Sequence, residues 1–193
     1  MVLTRAVAII LLLLCARAYG HDEGEGGVGF FAGLLHPALG FDHFLAMLSV
    51  GILSAQIGGR AIWYVPLAFV SVMIVGGILG INGVYLPLVE FGIASSVFAL
   101  GIALAADKHI ATAWAMLFVG FFATFHGHAH GTEMPQIADP LFYSLGFVIG
   151  TAIIHLSGVF VGLGSRKFEN GPMFLRFIGA GIAGIGLHIL FGN

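Results

Sequence analysis

Charge is what this chain lacks. Only 8% of its 193 residues are Asp, Glu, Lys or Arg, while 59% are hydrophobic and the mean hydropathy is +1.06. A soluble domain carries about 25% charged residues. A chain this poor in charge cannot cover a globule with polar surface, so lipid becomes its solvent. Seven Lys and Arg against nine Asp and Glu give a net charge of −2, which offers no basic face for nucleic acid. Cysteine is nearly absent: the single Cys15 lies in a leader expected to be removed, so a mature chain would have neither disulfides nor thiolate metal sites. There is no P-loop, which argues against direct use of ATP, and no HExxH zinc-hydrolase signature. Against these absences, nine histidines in so apolar a chain demand an explanation.

Residues 1–20 read as a secretory signal peptide. Arg5 provides the positive start, Ala6 to Leu14 the short apolar core, and the small residues ending at Ala18 or Gly20 two cleavage sites. The remainder, 21–193, reads as one all-α transmembrane domain of six helices, at roughly 30–56, 62–81, 86–106, 109–130, 140–163 and 172–191. Turn residues separate these runs, including Gly58-Gly59-Arg60, Asn82-Gly83 and Asp107-Lys108. Under this topology Arg60, Lys108, Arg166, Lys167 and Arg176 share one side and the opposite loops hold no Lys or Arg. The positive-inside rule then places both termini outside. Small-xxx-small spacings at Gly76/Gly80, Gly146/Gly150 and Gly158/Gly162 read as close helix–helix contacts.

Two clusters carry the chemistry. The first helix contains His36-Pro37-Ala38-Leu39-Gly40-Phe41-Asp42-His43, with Met47 one turn further along the face of His43. Burying a carboxylate beside imidazole is costly in lipid, and the pair is a good ligand set for borderline divalent metals. In a straight helix His36 and His43 stand about 10.5 Å apart, too far to share an ion. Pro37 and Gly40 break helices, so either the ligands converge at a break or they mark successive stations. The fourth helix ends in His126-Gly127-His128-Ala129-His130-Gly131-Thr132-Glu133. Residues 126, 130 and 133 share a helical face, while His128 points elsewhere.

The two motifs lie 90 residues apart, yet the topology puts both in the outer half of the membrane, together with Glu90. Glu90 reads as a ligand, a partner that orients a histidine, or a proton site. His155, further toward the cytoplasm, is either an inner station or a packed histidine bonded to a carbonyl. His188 reads as interfacial and His109 as solvent-facing. His21 with Asp22, Glu23 and Glu25 is an acidic outer segment that could capture cations, although a solvated tail explains it as well.

The motifs HPALGFDH and FHGHAHGTE, in this order, resemble those of the HupE/UreJ family of nickel/cobalt permeases. The resemblance covers the whole chain, leader included. It implies a bacterial inner-membrane permease rather than an enzyme, taking up Ni²⁺ or Co²⁺ from the periplasmic side, with His36, Asp42, His43, His126, His130 and Glu133 as functional residues. His128 falls at a variable position of the second motif. Zn²⁺ or Cu²⁺ would also bind such ligands. The rival reading is an intramembrane metal-dependent hydrolase, with Glu133 or Asp42 activating water.

Overall fold

The structure, a computed structural model, describes residues 25–108, 110–134 and 139–192. The leader expected at 1–20, His21, Asp22, Glu23 and His109 lie outside the described residues. Among the described residues all regular structure is helical: α1 (Glu25–Leu39), α2 (Phe41–Ile57), α3 (Ala61–Ile81), α4 (Val89–Ala106), α5 (Thr112–Thr132), α6 (Pro140–Ser165) and α7 (Gly171–Phe191). The last five helices start and stop within three residues of the apolar runs read from the sequence.

The first run departs from that reading. It is two helices bent by 81°, not one. Pro37 stays inside the last turn of α1, and the break falls at Gly40, whose extended backbone (φ −82, ψ 112) starts α2. The α3, α4, α6 and α7 helices are each long and apolar enough to cross a membrane, and α1 with α2 makes a fifth if counted as one span. The α5 helix has the length, at 21 residues, but carries His126, His128 and His130, which lower its hydropathy. It falls short because it holds the polar cluster.

Helix pairing follows the glycines. The α3 helix lies on α5, α4 on α7, and both α1 and α2 on α6. All three glycine pairs singled out in the sequence sit at such contacts: Gly76 and Gly80 against α5, Gly146 and Gly150 against α1, and Gly158 and Gly162 against α2. The approach is just as close at Gly127, where a Cβ would collide with the Met73 carbonyl oxygen. In lipid, where apolar surface gains little by leaving its solvent, such close backbone contact is a main source of helix association. Large apolar side chains such as Trp63, Leu67, Trp114, Phe121, Phe160 and Phe177 face outward, as lipid solvation requires.

The two ends of the bundle differ. At one, Arg166 donates to the carbonyls of Ala55 and Gln56 that close α2, and Arg176 donates to Ala105 O near the end of α4. These cations satisfy terminal carbonyls and oppose the negative helix ends. The Gly40 break and the histidine-rich end of α5 occupy the opposite end. There Asp139 caps α6 by accepting from the N–H groups of Leu141 and Phe142.

Substituting Gly127→Ala is expected to destabilise the protein by about 1–3 kcal/mol, the usual cost of overpacking a filled contact. At the exposed Gly181 a Cβ would meet nothing within 4 Å, so Ala is expected to be tolerated there without loss. Thermal unfolding of both variants in detergent checks the pair.

Candidate metal centre

The Gly40 break brings the first motif onto the second. A Cβ at Gly40 would lie 3.0 Å from His43 Nδ1, a tight contact that would press on that ring. Because of the bend, His36 and His43 both reach His130, with ring centroids 4.9 and 4.2 Å from it. The break therefore makes the ligands converge.

The outer part of the cluster is a trio. One donor atom each from His36, His130 and Glu133 lie within 4.8 Å of one another. His36 Nε2 is 3.3 Å from Glu133 Oε2, and His130 Nδ1 is 4.0 Å from the same oxygen. Ligands on one first-row ion, at roughly 2.0–2.1 Å each, are at most about 4.2 Å apart. Closing onto an ion thus takes only small side-chain shifts. The trio opens outward through Glu133, 51% exposed, and His36, 28% exposed, while His130 at 4% forms its floor.

Behind the trio lie two more imidazoles whose proton positions are fixed by neighbours. Asp42 Oδ1 accepts from His43 Nδ1 at 2.9 Å and from the His43 backbone N–H at 2.8 Å. This leaves the lone pair on His43 Nε2, which is buried and has no partner. Asp42 thus orients a histidine, as carboxylates do behind metal-binding imidazoles. His126 is treated similarly by Ser96. The Ser96 hydroxyl spends its proton on Ile93 O at 2.6 Å, so it accepts from His126 Nε2 at 2.8 Å. The His126 lone pair is then on Nδ1, again buried and unpartnered. The rings of His43 and His126 stand 4.8 Å apart, and both nitrogens of His130 lack hydrogen-bond partners among the described residues. The result is a file of imidazoles, His36–His130–His43–His126, running from the surface inward.

The remaining candidates are placed differently. His128 Nε2 donates to Val84 O, which ties α5 to the loop after α3 and takes His128 out of the file. Glu90 is exposed near the start of α4 and makes no salt bridge among the described residues. Met47 is fully buried one turn beyond His43 on α2. His188 lies near the end of α7. Glu25 lies in the first turn of α1.

Sequence reading missed Ser96, because a serine in an apolar helix usually bonds its own backbone and nothing marks a partner 30 residues away. It also missed Tyr143 and Phe147 of α6, whose rings lie 5.9 and 4.2 Å from those of His36 and His130. An apolar groove of about 260 Å³, lined by Met73, Gly77, Gly127, His130, Tyr143 and Phe147 among others, reaches His130 from the side. Its walls are mostly apolar, in contrast to the trio.

Fold and site together define a multi-pass, all-helical membrane protein with an imidazole–carboxylate cluster in one end of its bundle. The chain belongs to the HupE/UreJ family: the family model described as HupE / UreJ protein matches residues 9–189. It is 43% identical over 182 residues to Protein HupE of Rhizobium leguminosarum bv. viciae, covering 94% of each chain. No solved structure matches.

Replacing Ser96 by Ala frees the His126 proton to occupy either nitrogen. The ¹⁵N shifts of His126 are expected to show the Nε2–H form in the native protein and a mixture in Ser96→Ala. Nickel titration of the same samples is expected to show affinity reduced about 10- to 100-fold, the usual effect of losing a group that orients a ligand.

Proposed function

We propose that this protein is a permease that takes up a divalent transition metal, Ni²⁺ or Co²⁺, through the file of imidazoles and carboxylates. The observation that carries the reading is the convergence of two motifs 90 residues apart on one trio, with partner-free nitrogens continuing inward from it. Membership of a family associated with nickel/cobalt uptake supports the choice of ion.

The mechanism follows from the order of exposure. A hydrated cation meets Glu133 and His36 first, where carboxylate and imidazole begin to replace its water. His130 completes the trio, and the lone pairs of His43 Nε2 and His126 Nδ1 offer the next ligands inward. Nitrogen and oxygen donors without thiolate hold such an ion firmly enough to dehydrate it yet weakly enough to pass it on. Asp42 and Ser96 keep the two inner rings ready, so no proton has to move before a lone pair meets the ion. Zn²⁺ and Cu²⁺ are competitors for the same donors.

In the membrane we place the trio on the outer, periplasmic side and the Arg60, Arg166, Lys167 and Arg176 end in the cytoplasm of a bacterial cell, following the positive-inside rule. The bent α1–α2 unit and α5 each count as a span in this arrangement, which gives six after a cleaved leader at 1–20. The acidic residues near the mature N-terminus then lie on the side from which the ion arrives.

Cells that depend on this protein for nickel are expected to lose roughly 90% or more of their uptake when it carries His36→Ala, His43→Ala or Glu133→Ala, a tenfold loss per missing ligand group being the least expected of such a site. The variants should still be present in the membrane. Radiolabelled nickel accumulation checks this. Normal accumulation in all three variants contradicts the proposal.

A further inference from the structure

His155 lies beyond the file described above and belongs to neither motif. It is 1% exposed, in the inner half of α6, and neither ring nitrogen has a hydrogen-bond partner among the described residues. One of the two readings its sequence position allowed, a histidine bonded to a neighbouring carbonyl, is therefore not what the structure holds. An imidazole always carries at least one N–H, so a fully buried ring with no acceptor is unfavourable unless something else meets it. Apolar residues fill such a position more cheaply, and the surrounding helices are rich in them.

Its neighbours have donor atoms as well. Thr151, one turn earlier on α6, is fully buried, and its hydroxyl points to the sulfur of Met73 on α3 at 3.9 Å. Phe69, one turn before Met73, presents its ring to His155 at 5.1 Å between centroids and to His126 at 5.6 Å. The Phe69 ring thus neighbours both the last imidazole of the outer file and His155. Thr151 and Met73 lie one turn nearer the histidine-rich end than His155 and Phe69, so His155 is the deepest of these donors. Imidazole nitrogen, thioether sulfur and hydroxyl oxygen lie along one buried strip with no carboxylate among them.

We infer that His155, packed on Phe69 and one helical turn deeper than Thr151 and Met73, is a second and inner binding station for the divalent cation. The inference rests on the permease reading and extends it past the family motifs. An ion leaving His126 for the cytoplasm needs a ligand deeper in the bundle, and His155 supplies a lone pair there. The change in chemistry suits that place. The outer trio has a carboxylate to draw in a hydrated cation, whereas the inner station has only neutral donors and so holds the ion weakly, which favours release.

The station is tested with the full chain in two measurements on the same purified protein. Nickel binding in detergent reads the outer cluster, and nickel influx into vesicles loaded with a metal-quenched dye reads passage. His155→Leu is expected to bind Ni²⁺ within about twofold of the native affinity and to be at least as heat-stable, since an orphaned polar ring is replaced by an apolar side chain. Its influx is expected to fall about tenfold or more, as for the loss of a ligand. Native influx in a stable His155→Leu protein overturns the station. If that variant does not reach the membrane, His155→Gln, which keeps a polar side chain but no imidazole, decides: influx reduced about threefold or more with outer binding unchanged supports the station, and native influx overturns it. His36→Ala is the control for the underlying reading. Influx abolished by His36→Ala but untouched by the inner variants removes only the inner station, whereas native influx in His36→Ala removes the permease reading itself.

Discussion

An imidazole lone pair taken out of water and given no partner is costly, and the organisation of this bundle depends on the fact that it collects several of them. A buried polar group left unsatisfied costs about 1–3 kcal/mol. His43, His126, His130 and His155 between them present six ring nitrogens without hydrogen-bond partners among the described residues. A fold selected for stability alone would have paired them with carbonyls or replaced them with leucine. Here the opposite has been arranged: Asp42 and Ser96 occupy one nitrogen of a ring and leave the other free. A cation that replaces its hydration shell with these nitrogens compensates their desolvation, and they in turn compensate its own.

Everything else in the bundle holds that file in place. The bend at Gly40 turns His36 and His43 toward a common neighbour. The glycine contacts between α3 and α5 let the backbone of Gly127 meet that of Met73, which sets the height of His126 and His130 relative to Phe69. Glycines 51 and 158 bring α2 equally close to α6, at the turn that carries His155. Arginines at the far end close the carbonyl ends of α2 and α4, so that the basic end is stapled while the histidine end stays open. The specificity of the site is in this sense a consequence of small residues, which decide how near the helices come and so which rings touch.

Much of this was legible in the sequence, because lipid imposes simple rules. Apolar runs of the right length gave the last five helices to within three residues, and the glycine pairs marked real contacts. The grouping of His36, His130 and Glu133 could be anticipated from helical faces and shared depth. What hydropathy could not give was the bend: Pro37 and Gly40 both break helices, and only packing chose Gly40. The same measure undercounts α5, whose histidines make the site and spoil the apolar signal together. Periodicity states which face a residue occupies and not what that face meets. Hence Ser96 carries no mark in the sequence, and His128 needs the Val84 carbonyl to explain it.

The central claim is that a metal ion resides where the two motifs converge. An anomalous-difference map at the nickel edge, from crystals of the full chain grown with Ni²⁺, tests it most directly. The account predicts a peak within bonding distance of His36, His130 and Glu133. A map in which the bound nickel lies elsewhere, with no density among these three side chains, contradicts it.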